Sequence, residues 1–176
     1  MEKIYTQTVT QISFNPRHKL SLVLTGPNGK LEYTKIDTAK KTLEPQFDPH
    51  FEDMKRSIME LGDNNITCHS WSEDADYFGL CTDLGQLFVY NVLNDIVLEE
   101  QFEDFRFVSI SLFELGFVAT TFDGRMIFYE LDREANVYTA IRQWHYKHEA
   151  SSKQTMDDVI RGVRVLDSEK TKKMAV

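Results

Sequence analysis

The chain has 176 residues, 41% of them apolar, with a net charge of −8 and two cysteines. That size and composition allow a real core, while the negative balance repels phosphate backbones and argues against a nucleic-acid partner. No apolar run approaches the roughly 18 to 20 residues that span a bilayer, and Met1 to Ile4 lacks the apolar region of a secretory signal, so no membrane partner and a cytoplasmic setting are expected.

In chain order, the apolar residues fall in short runs rich in aromatic and β-branched types, which read as strands. Ile4 to Phe14 alternates loosely between apolar and hydroxyl or amide side chains, with room for one or two short strands before Pro16 stops it. Leu20 to Leu24 makes the next strand, and Gly26-Pro27-Asn28-Gly29 turns the chain back. Thr38 to Asn64 departs from this pattern. It passes Pro45 and Pro49 and then places Phe51, Met54, Ile58 and Leu61 at spacings of three, four and three, with Asp48 or Glu52-Asp53 near the start and Gly62 after the end. That spacing predicts a short amphipathic helix. Its apolar stripe either packs on its own sheet or enters a groove on a partner protein, and the second reading nominates Phe51, Met54, Ile58 and Leu61 as partner-binding residues.

Asn65 to Leu93 holds three runs, Ile66 to Trp71, Tyr77 to Cys81 and Gln86 to Val92, with a tight turn at Asp83-Leu84-Gly85. This is a three-stranded antiparallel meander in which the glycine supplies a positive φ. Asp95 to Gln101 adds an outer strand, and the acidic run Glu99, Glu100, Glu103 and Asp104 suits an exposed edge. Phe107 to Asp132 repeats the meander, and Val137 to Tyr146 is its outer strand. His148 to Asp157 reads as a connecting loop, Val159 to Leu166 as the first strand of a further unit, and the charged tail as frayed.

Aligned on Gly29, Gly85 and Gly124, the three units agree. Leu24, Leu80 and Ala119 stand five positions earlier, and Phe14, Trp71 and Ile110 occupy the equivalent place on the first strand. The second interval is 39 residues and the first 56. A period near 40 with about four strands per unit is the signature of a WD-repeat β-propeller blade, the first interval carrying an insertion. The expected fold is all-β: WD40-type β-propeller blades, about three complete four-stranded blades plus the first strand of another, with a short helical insertion. Residues 1–150 hold blades around 4–50, 65–102 and 107–146 with the insertion at 38–64, and residues 151–176 hold the loop, the start of a further blade and the tail. Gly29, Gly85, Gly124, Phe14, Trp71, Ile110 and His69 are the expected structural positions. Because propellers close with roughly four to eight blades, a larger polypeptide or another chain is expected to complete the ring.

The chemistry is sparse. Cys68-His69 cannot be a metal pair by itself, since neighbouring strand residues point to opposite faces, and His69 is expected to hydrogen-bond within its own blade. His145 and His148 flank a strand end as rim residues. Glu73, Asp74, Asp76, Asp83 and Asp123 sit in or beside turns, where short carboxylates accept backbone hydrogen bonds. Cys68 and Cys81 lie on neighbouring strands, which allows a disulfide, although buried free thiols suit a reducing compartment. No nucleophile elbow, phosphate loop, dinucleotide fingerprint or zinc-protease motif occurs, so no catalytic residue, cofactor or metal site is nominated and a non-enzymatic chain is expected. Most of Phe14, Tyr33, Trp71, Phe78, Tyr90, Phe107, Phe117, Phe128 and Tyr129 are expected to be sheet-to-sheet core.

I-S-F-N-P at Ile12 to Pro16, I-T-C-H-S-W at Ile66 to Trp71 and C-T-D-L-G-Q-L at Cys81 to Leu87 resemble the WD-repeat proteins of the cilia- and flagella-associated class. The resemblance covers roughly residues 10–130 and rests on C-H-x-W followed by T-D-x-G-x-L; the chain lacks a Trp-Asp dipeptide, and Cys81 replaces the usual glycine. It implies a non-catalytic axonemal scaffold near the inner dynein arms and the tethers that hold dynein heads to the doublet. Its partners would be axonemal dynein or microtubule-associated proteins, in the cytoskeleton of a cilium or flagellum. The rival expectation is a soluble WD-repeat adaptor in a ubiquitin-ligase or trafficking complex.

Overall fold

The computed structural model describes residues 8–60, 64–92 and 96–145, together with the backbone of 164–166 and 173–175. Three four-stranded antiparallel sheets follow one another along the chain, each a simple meander. The first blade is β1 (Gln11–Phe14), β2 (Ser21–Thr25), β3 (Leu31–Asp37) and β4 (Thr42–Pro45). After the helix α1 (Pro49–Glu60), the second blade is β5 (Ile66–Trp71), β6 (Tyr77–Thr82), β7 (Gln86–Asn91) and β8 (Ile96–Gln101). The third is β9 (Phe107–Phe113), β10 (Gly116–Thr121), β11 (Arg125–Asp132) and β12 (Val137–His145). A two-stranded sheet, β13 (Arg164–Leu166) with β14 (Lys173–Ala175), lies with β13 beside β9.

The repeat that the glycines mark is a repeat of turns. Gly29, Gly85 and Gly124 have φ of +65°, +85° and +86°, a region closed to most side chains. At Gly85 a Cβ would also overlap the carbonyl oxygen of Phe102. The turn therefore sits against the entry to the next blade, and Phe102 N donates to Gly85 O at 2.9 Å. Gly29 N likewise donates to Asn64 O at 2.7 Å on the way into β5.

Successive sheets bury the faces they turn toward one another. Trp71 joins Val23 and Leu31 between the first and second blades, and Ile110 joins Cys68, Tyr77, Cys81 and Val89 between the second and third. Gly79 on β6 lets β9 approach, since any Cβ there would meet the tips of Ile110 and Leu112. Phe14 corrects an expectation. It occupies the position of Trp71 and Ile110, which are 9% and 5% exposed, yet it is 54% exposed. Its face of β1 looks away from the second blade, and no described blade lies on that side. Of the other expected core aromatics, Phe128 and Tyr33 are half-buried and the rest are buried.

The insertion is shorter than expected, because Thr42–Pro45 is the outer strand of the first blade, paired with β3. The helix starts where its cap dictates: Asp48 Oδ1 accepts the amide of His50 at 2.9 Å, and Pro49 fills the first helical position, where a missing N–H costs nothing. One reading of the C-terminal part changes as well. Lys173–Ala175, taken as frayed tail, is a strand paired to β13, and only Arg164–Leu166 of the expected Val159 to Leu166 strand lies among the described residues. Among the described residues the Ile4 to Phe14 run is a strand from Gln11; Ile4 to Gln7, like the His148 to Asp157 loop and Leu61, lie outside the described residues.

The stripe of α1 points inward. Phe51, Met54 and Ile58 are buried among Val23, Leu31, Phe78, Leu80, Phe88 and Tyr90. Phe51 stacks on Tyr33 of the first blade, with centroids 5.2 Å apart and planes at 6°, and meets Phe78 and Tyr90 of the second at 5.1 and 5.2 Å. The helix is thus a wedge between two blades, and these three side chains are not free to enter a partner's groove. Met54→Asp, which buries a charge, is expected to cost several kcal/mol in urea unfolding, whereas Met59→Asp on the exposed face should change stability by no more than about 0.5 kcal/mol.

Candidate functional site

In a meander the second-to-third-strand turn and the loop into the next blade emerge at the same end of the sheet. That end carries Asn28 and Gly29, Leu84 and Gly85, Phe122 to Gly124, the helix and the 102–106 loop. It is held by backbone and amide bonds: Gln101 Nε2 donates to Leu84 O at 2.6 Å, Phe122 N to Arg106 O at 2.8 Å, and Gln86 Nε2 to Ser57 O at 3.3 Å. Against this framework Met59, Leu84 and Phe122 stand exposed, one from each successive blade or its insertion. The Arg106 guanidinium lies 5.7 Å from the centre of the Phe122 ring, and that of Arg125 lies 4.5 Å from Phe105. The arrangement presents apolar side chains with a neighbouring cation on a rigid rim, which suits recognition of another protein's surface. The sequence reading missed Leu84 and Phe122; the signal was a large apolar residue one or two positions before a turn glycine, where polar residues are usual.

The opposite end is tied by charge. Arg17 of the first blade donates to Asp76 Oδ1 at 2.6 Å and to Asp74 O at 2.7 Å. Arg133 of the third blade reaches Asp74 Oδ2 at 3.0 Å and Glu114 O at 3.2 Å. These half-exposed pairs contribute at most about 1 kcal/mol each, but they converge on one acidic loop of the middle blade. Asp83 accepts the amide of Asn65 at 2.9 Å, as a turn carboxylate should. Glu100 differs from the exposed edge residue expected of it, because its carboxylate receives the Tyr129 hydroxyl of the third blade. His145 Nε2 meets Asp123 O at 3.0 Å. Cys68 and Cys81 are free, buried and directly opposite one another across β5 and β6, and burial pushes the Cys81 thiol up.

His69 also departs from expectation. It bonds between blades, not within its own: Nδ1 meets Thr25 Oγ1 at 3.0 Å and Nε2 meets Ser13 Oγ at 2.7 Å, both on the first blade. Gln11 of the same strand clasps its backbone, donating to His69 O and accepting from His69 N at 2.9 Å each. Burial lowers the imidazole pKa to about 4, so the ring is a neutral tie and lacks the open coordination of a metal ligand. Among the described residues no group of three or more His, Cys, Asp or Glu could hold a metal ion, and no helix is long and apolar enough to cross a membrane.

These sheets are blades of a WD40-type β-propeller. Solved structures with the same fold include the C-terminal WD40 domain of Sif2, at 16% identity and a TM-score of 0.59 over 79% of this chain and 37% of that one. The RRP9 WD40 repeats match over 95% of this chain and 44% of theirs, at 9% identity and a TM-score of 0.62. The Cps50 (Swd1) β-propeller domain of Myceliophteria thermophila matches over 81% and 48%, at 10% and 0.59. This chain therefore spans less than half the length of these propeller chains. No protein-family model matches it, and no curated protein matches it in sequence.

The buried imidazole predicts a pH dependence. Above pH 6.5 the ring is neutral folded or unfolded; as pH falls the unfolded ring takes a proton that the folded one refuses until about pH 4, so stability drops across that window and then levels. The loss amounts to about 3 kcal/mol. Urea titrations at pH 7 and pH 4 should show a loss larger by about that amount in wild type than in His69→Gln; equal losses would remove the imidazole from the account.

Proposed function

We propose that the chain is a non-enzymatic protein-binding scaffold of the ciliary or flagellar axoneme, placed near the inner dynein arms or their tethers. The observation that carries the binding role is the rim of Met59, Leu84 and Phe122 with Arg106 beside it, apolar groups left in water on a framework whose own cores are filled. An apolar segment flanked by a carboxylate fits this rim, Met59, Leu84 and Phe122 taking the apolar part and the guanidinium the charge. What supports the axonemal setting is the C-H-x-W and T-D-x-G-x-L sequence resemblance. Residues of those two motifs serve the propeller array itself: His69 ties the second blade to the first and Thr82 Oγ1 accepts the Gln86 amide at 3.1 Å, so any partner must be read from the rim and not from the motifs.

Detergent extraction of a ciliated cell expressing the tagged protein tests both parts. The wild type should stay with the axoneme and leave in high salt, and Leu84→Asp with Phe122→Asp should move it to the detergent-soluble pool without changing the melting temperature of the purified chain. A wild type found in the soluble pool overturns the axonemal setting; a double variant retained on the axoneme overturns the rim.

A further inference from the structure

We propose that the end of the first blade away from the rim binds an extended acidic segment of a partner protein, its carboxylates taken by Arg17, Lys19 and Lys35 and an aliphatic side chain by Leu20. Charge is unevenly placed along this chain. Residues 8–47 carry six Lys and Arg against three Asp and Glu, in a chain with 20 of the former and 28 of the latter. Some of these cations are answered within the blade: Lys30 lies 3.9 Å from Glu32, and Lys40 meets Asp37 at 3.3 Å and Glu44 at 2.7 Å. Lys19 and Lys35, both exposed, form no ion pair with any described residue.

The fold brings the unanswered cations together on a fixed surface. Asn15, buried beside the end of β1, accepts the amides of Arg17 and His18 on Oδ1 at 2.9 and 3.0 Å, and Ser21 N donates to His18 O at 2.7 Å, so the 15–20 loop is a tight turn. Ile36 N donates to Leu20 O at 2.8 Å, and Lys35 stands opposite Ser21 across β2 and β3. Arg17, His18, Lys19, Leu20, Ser21 and Lys35 thereby wall one shallow cleft of about 340 Å³, with three cations and no carboxylate in its wall. Leu20, 43% exposed, is its one large apolar group. Arg17 makes its bonds to Asp76 and to Asp74 O through Nη2 alone, which anchors the guanidinium and leaves its other nitrogens to a ligand.

Charge complementarity selects the occupant. Carboxylates border the cleft, with Asp76 beside Arg17 and Glu44 in register with Lys35. A broad polyanion, such as duplex nucleic acid or an anionic bilayer, would press on those carboxylates as well as on the cations, and the net charge of −8 would repel it. A single extended strand with a few Asp or Glu around one aliphatic residue is narrow enough to follow the cleft alone. The surface stands at the Ser21–Lys35 end of the first sheet and the rim at its Thr25–Leu31 end, so one partner does not exclude the other.

Fluorescence anisotropy of a labelled peptide, glutamates around a central leucine, titrated with the purified full chain tests this at physiological ionic strength. Wild type should bind the peptide, and more weakly as salt rises. Lys19→Glu with Lys35→Glu should weaken binding about tenfold or more without moving the melting temperature, since both side chains are exposed. Lys19→Gln with Lys35→Gln should weaken it in the same direction, which keeps the test decisive if the reversed charges disturb the fold. Lys55→Glu with Arg56→Glu, on the helix at the rim end, changes the net charge as much as the first pair and should leave the affinity within about twofold. A wild type that ignores the peptide, equal losses in the two charge-reversed pairs, or tighter binding to phosphatidylserine vesicles or duplex DNA than to the peptide overturns the inference.

Discussion

A four-stranded meander has two faces and no interior, so none of these sheets is stable until something covers both. Every other feature answers that constraint. Between the first and second blades the cover is a helix wedge, with Phe51 stacked on Tyr33 and edge-on to Tyr90. Between the second and third it is direct sheet contact, made close by Gly79 and filled by Ile110, Leu112, Phe117 and Tyr129. The two seams reach the same end by different means, because the insertion delivers large side chains to the first while the second has only a short loop, residues 102–106, to work with.

Polar groups set the alignment of the seams that apolar packing fills. His69 takes one hydroxyl from β1 and one from β2, and Gln11 reproduces a strand-like pair of hydrogen bonds to its backbone. Being neutral, the ring makes these bonds without the desolvation cost of a buried charge. At the acidic loop of the middle blade, Arg17 and Arg133 approach Asp76 and Asp74 from opposite sides, so the same three blades are registered at their rims.

Much of the architecture was readable because turns leave a mark in the sequence. A positive φ at a fixed place in each blade demands glycine, and Gly29, Gly85 and Gly124 therefore reveal the repeat even where the side chains around them differ. The helix was readable from its spacing, but its role was not: Phe51, Met54 and Ile58 at three- and four-residue intervals look the same whether the stripe meets a partner or its own sheet. Phe14 was misplaced for a related reason. Its equivalence to Trp71 is correct, but burial depends on what lies across the seam, and that is not written in β1. The partner of His69 was missed because hydroxyls 44 and 56 residues upstream carry no local signal.

The central claim is that the seams, more than the sheets, hold this array together, and native-state hydrogen exchange on Phe51→Ala tests it most directly. Removing the ring takes away the wedge and no part of either sheet's ladder. The account predicts that amides of β2 and β3 and those of β6 and β7 lose protection together, by the same amount of about 3 kcal/mol or more. Loss confined to the helix, with both sheets protected as before, would contradict it.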